Sequence, residues 1–403
     1  MTVSARVKEL GREAGFDLVR ITTATPLSPE LDRYRQWIEQ GRQGDMRWIT
    51  QQHAARSADP SSVLPDAKSV ICVGMRYWDG LRPTDTANTG RIARYSWGRD
   101  YHAVLGKRLE EFTRKLVEEV GGSHKWYVDT GPLMDKALAS RAGLGWYGKN
   151  TNILSTEFGS WILLGEIVTT LEIEADRPLQ RDCGGCRLCV VACPTGALGP
   201  DYSIDSRKCI SYLTIEHRGP IPVEYRPLIG SWVFGCDICQ DVCPPSMEPH
   251  LKSSRDRHAW AAEVKSYVKG GDPISTPSSD AHVGSGAPTD LRSGVDLVWL
   301  LRMTHEEYLK TFRDSSIRRA KPWMLRRNAA VCLGNVGTRM ADEPLIQALE
   351  EDEEPVVRGH AAWSLGRLAN RKVTPLPVAA LVSALSKERD PLVREEIRAV
   401  LPG

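Results

Sequence analysis

Hydrophobic and polar positions alternate along residues 1–175 in ways that predict both helices and strands. The run from Ser69 to Met75 is short, almost wholly apolar and preceded by a Pro65-Asp66 turn, which predicts a buried strand. Similar patterns predict an amphipathic N-terminal helix, a helix over 101–120, a strand over 125–128, a helix over 133–142 and a strand over 160–170. We therefore expect residues 1–175 to form an α/β or α+β domain.

The C-terminal pattern repeats itself. Ala329, Ala330, Leu333 and Gly334 recur 32 residues later, and a second set around Leu345 recurs 36 residues later. These periods match helix-pair repeats of the HEAT type, which are usually binding surfaces. Because about two and a half repeats are too few to stand alone, we expect the all-α region over 296–403 to pack on the rest of the protein.

The segment between these two regions has a different character. Residues 176–250 are rich in cysteine and poor in periodic hydrophobic positions, which predicts a compact, loop-rich, ferredoxin-like module. Residues 251–295 contain the sequence GGDPISTPSSDAHVGSGAP, which is typical of a surface loop or linker. The role of this Ser/Gly/Pro-rich insertion near 270–290 stays open.

Charge adds one local feature. The 403 residues carry a formal net charge of only +2, so bulk electrostatics do not indicate a nucleic-acid partner. Between Arg313 and Arg327, however, six basic residues stand against one acidic residue, and this excess could neutralise several phosphates. A solvated helical face explains the same run equally well.

No segment predicts a membrane or export role. The N-terminus lacks the uninterrupted apolar stretch of a signal peptide, and the longest apolar stretch, Trp161 to Leu171, is short and contains Glu166. We therefore expect a cytoplasmic protein without a membrane partner.

Eight of the ten cysteines form two facing runs, and both runs end in Cys-Pro. In the two-cluster bacterial arrangement, the last cysteine of a C-x2-C-x2-C-x3-C-P run ligates the other cluster. The expected ligands of the two four-iron, four-sulfur clusters are Cys183, Cys186, Cys189 and Cys243 for the first, and Cys209, Cys236, Cys239 and Cys193 for the second. Structural zinc is the alternative, but three cysteines at this spacing favour a cubane, and disulfides do not suit a reducing compartment.

Several other motifs are ambiguous by themselves. Gly143 to Gly148 satisfies G-x-G-x-x-G but follows a predicted helix instead of a strand, so we interpret it as a loop of close backbone approach and not as a dinucleotide site. Asp129 follows a predicted strand and is either a catalytic carboxylate or a turn or helix cap. Asp135 is a second candidate carboxylate but most simply a solvent-facing helix residue. His102 is either a metal ligand or proton donor or, more simply, a structural residue.

Taken together, the run VDTGPLMDKALASRAGLGWYGKN over 128–150, the stretch from Arg91 to His102, the eight cysteines and the terminal repeats resemble the epoxyqueuosine reductase family. The resemblance covers nearly the whole chain. It implies a cobalamin-dependent enzyme with two iron-sulfur clusters, which reduces epoxyqueuosine to queuosine at the wobble position of tRNA. It also implies that Asp129 is the proton donor.

The resemblance further implies base-off cobalamin in the N-terminal domain and a tRNA surface at the repeats. The residues that match cobalamin contacts are Arg56, Ala93, Asp129, Ile153, Leu164, Ile167, Ser211, Asp237 and Ile238. The residues that match tRNA contacts are His217, Arg218, Arg318, Arg319, Lys321, Arg326, Arg327 and Arg358. Because no flavin or nicotinamide domain is recognisable, we expect an external low-potential electron donor, and short repeats with a polar C-terminus suit a monomer.

Two other functions remain. A reductive dehalogenase shares cobalamin and two such clusters, but it would not need the repeats and the basic run. An iron-sulfur protein that binds tRNA and only relays electrons would need no proton donor.

Overall fold

The computed structural model describes residues 2–78, 80, 86–247, 291 and 294–402. The expected linker over 251–295, with its Ser/Gly/Pro-rich part, lies almost wholly outside these residues. Within them the chain divides into two compact units. The first unit comprises residues 2–80, 98–209 and 237–247, and the second comprises residues 86–97, 210–236, 291 and 294–402.

The fold is mixed α and β, with a helical C-terminus. The strands are β1 Leu18–Thr23, β2 Ser69–Arg76, β3 Thr89–Ile92, β4 His124–Tyr127, β5 Trp146–Tyr147, β6 Ile153–Leu154, β7 Ile162–Thr169, β8 Trp232–Phe234 and β9 Val295–Asp296. The helices of the first unit are α1 Val3–Glu13, α2 Ser28–Glu39, α3 Gln51–Ser57, α4 Tyr101–Val120, α5 Asp135–Arg141, α6 Leu188–Ala192 and α8 Ile238–Asp241. Those of the second are α7 Ile210–Ile215, α9 Leu297–Arg302, α10 His305–Thr311, α11 Pro322–Val336, α12 Asp342–Glu351, α13 Pro355–Asn370, α14 Val378–Lys387 and α15 Pro391–Val400.

The first unit is built on a sheet with the strand order β1-β2-β7-β4, in which every neighbouring pair is antiparallel. This resolves the expected α/β or α+β domain in favour of α+β. Helix α4 packs against β4 and β7, and α5 packs against β2 and β7. Because helices contact the sheet, its central strands β2 and β7 are almost wholly buried and lack a polar face.

Alternation along β7 assigns its side chains to two faces. Ile162, Leu164 and Val168 pack with the apolar residues of α5. Gly165 faces the opposite way, where an added Cβ would lie 3.0 Å from Leu109 of α4. Glu166 therefore points to the α5 face, because successive strand residues alternate.

Local sequence explains the ends of α4. The side chain of Asp100 accepts a hydrogen bond from the backbone N–H of His102 and so caps the first turn. Gly121 ends the helix at a φ of +74°, which glycine adopts without strain. The next strand, β4, delivers the chain to the loop that contains Asp129.

The second unit combines the helical repeats with β3, β8 and β9. Helix α11 packs on α13, and α13 packs on α15, as the repeated sequence requires. Helix α11 also packs on α7 and β8, where Asn328 Nδ2 donates to the carbonyls of Thr214 and Val233 at 2.8 and 2.9 Å. The expectation that the short array packs on other parts of the chain is therefore confirmed.

The compact units do not follow the boundaries expected at residues 175, 250 and 295. The cysteine segment contributes residues up to 209 and from 237 to the first unit, but residues 210–236 to the second. The physical reason is that α7 and β8 carry large apolar side chains, such as Leu213 and Phe234, which are buried in the second unit. No helix among the described residues is long and apolar enough to cross a membrane.

Candidate active site

The loop between β4 and α5 places Asp129 in an unusual backbone conformation. Its φ of +54° lies in the left-handed region, which Asp tolerates better than most residues other than glycine. Helix α5 begins six residues later and has Met134 at its N-cap, so Asp129 does not cap it. The side chain of Asp129 is 63% exposed. The geometry therefore presents this carboxylate to solvent.

Two neighbours from the start of α4 hold the Asp129 carboxylate. The Tyr101 hydroxyl donates to Oδ2 at 2.7 Å, and His102 Nε2 lies 3.4 Å from the same oxygen. On its other side, His102 Nδ1 lies 2.7 Å from Oδ1 of Asp100. The imidazole thus stands between two carboxylates, and it is not merely the structural histidine expected from sequence.

This arrangement determines the protonation of His102 and Asp129. Burial alone would lower the pKa of His102, but the hydrogen bond with Asp100 and the interaction with Asp129 outweigh it and raise that pKa to about 9. His102 in turn lowers the pKa of Asp129, with burial opposing and Tyr101 assisting. The adjacent imidazolium thus outweighs burial in setting the pKa of Asp129. At neutral pH the proton resides on His102.

A second pair of carboxyl groups lies behind Asp129. Glu166 of β7 is wholly inaccessible to solvent, and Oδ1 of Asp135, the first residue of α5, is also buried. Burial is the largest cause that raises the pKa of both groups, to about 7 for Asp135 and well above the usual value for Glu166. The expectation that Asp135 faces solvent is therefore wrong, because α5 turns its first residue toward the sheet.

Four cysteines from opposite ends of the cysteine segment line one small cavity. They are Cys183, Cys186, Cys189 and Cys243, together with Lys149 and Asn150. The structure thus brings together the ligand set expected for the first cluster. Burial raises the pKa of Cys189 and raises that of Cys243 to about 11, so iron binding must displace protons from these thiols.

Three of the four cysteines expected for the second cluster belong to the first unit. Burial, followed by the negative charges of Cys209, Asp237, Cys189 and Cys193, raises the pKa of Cys239 well above its usual value. Cys193 and Cys209 are therefore close enough to Cys239 to interact with it electrostatically. The fourth cysteine, Cys236, belongs to the second unit.

The glycine-rich loop contacts the cysteine segment. At Gly143, where φ is +73°, an added Cβ would lie 2.2 Å from the carbonyl oxygen of Arg177. The loop ends in Lys149, whose Nζ donates to the carbonyls of Gly184 and Cys186 at 2.7 and 3.0 Å. The expected close approach of backbone is confirmed, and the loop fixes the turn that carries the first cysteines.

The residues matched to cobalamin contacts do not all present side chains to one surface. Arg56 is exposed, and Leu164 and Ile238 are partly exposed, so they have surface to offer. Ala93, Ile153, Ile167 and Asp237 are at most 2% exposed. Leu164 and Ile167 lie on opposite faces of β7, so their side chains do not contact the same ring. Ala93 and Ser211 belong to the second unit.

The residues matched to tRNA contacts divide into two exposed residues and others that contact groups of the same chain. Arg318 and Lys321 are exposed. Three others form ion pairs, namely Arg319 with Glu216, Arg326 with Asp352 and Arg358 with Glu388. His217 Nε2 lies 2.9 Å from the Pro220 carbonyl, and Arg218 Nη1 lies 2.9 Å from Met324 Sδ.

Arg327 is a correction to the expected tRNA surface. It is 0% exposed and donates to the carbonyls of Leu213, His217 and Gly219 at 2.7 to 2.8 Å. A side chain in this position ties α11 to the segment after α7 and does not reach a phosphate. Adjacent helical residues point in different directions, so Arg326 and Arg327 have different surroundings. The sequence alone does not show which of the two side chains is buried.

Sequence reasoning missed four residues of the site. Tyr101 and His102 stood beside each other in the quoted motif, but only the packing of α4 against β4 brings them to Asp129. Glu166 was visible as a lone acid in an apolar strand, which is a recognisable signal of a buried functional carboxyl. Lys149 had no such signal.

Comparison with known families identifies the three regions. The model "Epoxyqueuosine reductase QueG, DUF1730" matches residues 57–130, a 4Fe-4S double cluster binding domain matches residues 182–246, and HEAT repeats match residues 315–402. The double-cluster match decides for iron-sulfur clusters over structural zinc, and the HEAT match confirms the repeat interpretation.

Relatives match over most of the chain. It is 40% identical to the epoxyqueuosine reductase of Synechocystis sp. (strain ATCC 27184 / PCC 6803 / Kazusa) over 74% of this chain and 93% of the relative. It is 34% identical to that of Escherichia coli (strain K12) over 92% of this chain and 90% of the relative.

Solved structures agree. A crystal structure of epoxyqueuosine reductase with a tRNA-Tyr epoxyqueuosine-modified tRNA stem loop superposes with a TM-score of 0.83 at 30% identity, over 98% of this chain and 97% of that one. The Bacillus subtilis enzyme, with its aspartate catalytic loop swung out of the active site, gives a TM-score of 0.82 at 29% identity over 99% and 98%. On these matches, the chain belongs to the epoxyqueuosine reductase family of oxidoreductases.

Proposed function

We propose that this protein reduces the epoxide of epoxyqueuosine to the alkene of queuosine at the wobble position of tRNA. The observation that carries the proposal is the presentation of Asp129, held by Tyr101 and His102, in the same compact unit as the four-cysteine cavity. A relative of this family has been crystallised with an epoxyqueuosine-modified tRNA stem loop, which supports the same substrate here.

The chemistry needs electrons and protons in equal number. Removal of an epoxide oxygen as water consumes two electrons and two protons, because both C–O bonds break and two O–H bonds form. The two iron-sulfur clusters transfer electrons one at a time, and an external low-potential donor reduces them again. An oxygen leaving as alkoxide is a poor leaving group unless an acid protonates it.

Asp129 and His102 together supply that acid. At neutral pH the proton lies on His102, whose pKa is about 9, and Asp129 is ionised. As negative charge develops on the substrate oxygen, the N–H bond of His102 breaks and an O–H bond forms on Asp129, which then protonates that oxygen. Tyr101 fixes the orientation of the carboxylate by its hydrogen bond to Oδ2.

Cobalamin fits the residues present only in part. Arg56, Leu164 and Ile238 have side-chain surface to hold it, whereas Ile153 and Ile167 are already buried in protein. Bound beside Asp129, cobalamin would supply a strongly nucleophilic, one-electron-reducing centre to the epoxide.

The tRNA-binding surface is proposed to centre on Arg318 and Lys321. Both are exposed. Arg319, Arg326 and Arg358 are paired with carboxylates, and they would have to exchange these partners for phosphates to bind tRNA. We further propose that the protein acts as a monomer in the cytoplasm, where its tRNA substrate is found.

The test is mass spectrometry of the wobble nucleoside. Anaerobically reconstituted protein, cobalamin and a chemical reductant are incubated with epoxyqueuosine-modified tRNA stem loop. The proposal predicts loss of one oxygen from the nucleoside, dependent on both protein and cobalamin. Retention of the epoxide by protein with full cluster and cobalamin content contradicts it.

A further inference from the structure

Epoxide reduction needs two protons for each substrate, but the acid at the surface of the site holds only one. Asp129 is ionised and the single shared proton lies on His102. A second proton must therefore arrive from another group or from solvent during each turnover. The buried carboxyl groups next to Asp129 are placed to supply it.

Glu166 occupies a position where an ionised side chain is costly. In the middle of the sheet it stands opposite Cys72 of β2 and Tyr127 of β4. It is 0% exposed, and among the described residues neither of its carboxyl oxygens has a hydrogen-bond partner. Because burial of an unpaired carboxylate is strongly unfavourable, the group holds a proton instead.

Asp135 shares the same buried space from the other side. It begins α5, which packs on β7, and its Oδ1 is buried without a partner among the described residues. The two carboxyl groups interact without a well-formed hydrogen bond. After burial itself, the charge of Asp135 is the largest cause that raises the pKa of Glu166, and the charge of Asp129 is the largest that raises the pKa of Asp135. Asp135 therefore interacts electrostatically with both Glu166 and Asp129.

The other charged or titratable groups around the pair are few. Cys72 on β2 has its pKa raised by burial and then by Glu166, so it stays a neutral thiol. On α5, Lys136 donates to the Thr151 carbonyl at 2.8 Å, and Arg141 donates to backbone and hydroxyl oxygens of residues 22–25. Neither cation forms an ion pair with Glu166 among the described residues. The charge of Lys136 lowers the pKa of Asp135, but burial outweighs it.

We propose that Asp135 and Glu166 form a buried proton reserve that reloads Asp129 during epoxide reduction, a role that rests on the proposed function. An O–H bond of the pair breaks and an O–H bond forms on Asp129, while the two electrons come from the external donor through the clusters. The epoxide oxygen, with the proton from His102 and the proton from the reserve, leaves as water. The pair then takes a proton from solvent between turnovers.

The first test reads the proton directly and needs no turnover. Infrared difference spectra of the reconstituted protein, recorded on H/D exchange at about pH 6.5, detect the carbonyl stretch of a protonated carboxyl group. The wild-type protein shows this band, and Glu166→Gln removes the part of it that belongs to Glu166, whereas Glu39→Gln on the surface of α2 leaves it unchanged. If no protonated-carboxyl band depends on Glu166, the proposed proton reserve is contradicted, whether or not the enzyme converts its substrate.

The second test follows kcat against pH. We expect Glu166→Gln to lower kcat by at least about tenfold at about pH 8 and by less than about twofold at about pH 6, because solvent protons replace the reserve at low pH. The KM for the tRNA stem loop and the cluster spectra stay unchanged. Asp135→Asn behaves in the same way, and Asp135→Glu restores the wild-type profile.

The outcomes separate this role from the function on which it rests. A wild-type protein that does not convert epoxyqueuosine contradicts the proposed function. A wild-type protein that does so, with variants whose kcat is unchanged or falls equally at every pH, contradicts the reserve alone. Glu166→Gln is isosteric and Asp135→Glu keeps the carboxyl group, and thermal unfolding tests whether each variant folds.

Discussion

At the scale of single residues, the site depends on contacts that sequence could not show. Asp129 and His102 were visible separately, one as a catalytic or capping carboxylate and the other as a structural histidine. His102 Nε2 and Asp129 Oδ2 come within 3.4 Å because α4 packs on β4, which brings the beginning of α4 close to the loop after β4. The sign of the Asp129 pKa shift follows from that approach, and no property of the residues near Asp129 in sequence would have given it.

His102 offers a direct check of this electrostatic arrangement. We expect NMR titration of its imidazole to give a pKa of about 9, and Asp100→Asn to lower that pKa because the strongest contact that raises it is lost. Since the folded pKa lies above the unfolded value, the stabilisation from this contact is complete below about pH 6.5 and disappears as pH rises through about 9. An imidazole pKa that is equal in wild type and variant would show that Asp100 does not hold the proton on His102.

At the scale of elements, periodic patterns predicted five helices and strands of the first unit, over 69–75, 101–120, 125–128, 133–142 and 160–170, to within two residues at their ends. The long helix over 101–120 and the buried strand that begins at Ser69 are two examples. Strand order and direction were not predictable, because pairing in the β1-β2-β7-β4 sheet is set by contacts between distant segments. The glycine-rich loop was interpreted correctly, since the element before it was a helix and not a strand.

Gly143 tests the role of that loop. We expect Gly143→Ala to reduce the free energy of unfolding by about 1–3 kcal/mol or more, because its φ is +73° and the new Cβ would lie 2.2 Å from a backbone oxygen. The matched control is Gly185→Ala, since nothing lies within 4 Å of a Cβ at that position and its φ is not in the left-handed region. Thermal and denaturant unfolding measure both, and equal stability of the two variants would refute the argument.

At the scale of the whole molecule, the sequence predicted the three regions but not the two compact units. The HEAT repeats and the double-cluster segment were recognisable from periodicity and cysteine spacing. The assignment of residues 210–236 to the unit of the repeats was not, since it depends on buried contacts such as those of Arg327 and Asn328. The same contacts remove Arg327 from the proposed tRNA surface.

The salt dependence of tRNA binding distinguishes an exposed basic residue such as Lys321 from a buried one such as Arg327. We expect Lys321→Ala to weaken stem-loop binding and to reduce the slope of log K against log salt by about one, as loss of one phosphate contact requires. Arg327→Ala instead lowers the free energy of unfolding by about 3–5 kcal/mol, because three buried carbonyl groups lose their donor. Fluorescence anisotropy over a salt series and denaturant unfolding give the two readouts, and a Lys321→Ala slope equal to wild type would remove this residue from the interface.

The most direct test of the account is the turnover of Asp129→Asn. The variant is reconstituted with both clusters and cobalamin, and the wobble nucleoside is analysed by mass spectrometry beside wild type and Asp32→Asn, an exposed aspartate of α2. We expect Asp129→Asn to lower the rate of oxygen loss by about 10²–10⁴-fold, as removal of a general acid does, while Asp32→Asn equals wild type. A fully loaded Asp129→Asn that converts epoxyqueuosine at the wild-type rate would contradict the central claim that this carboxylate delivers the proton.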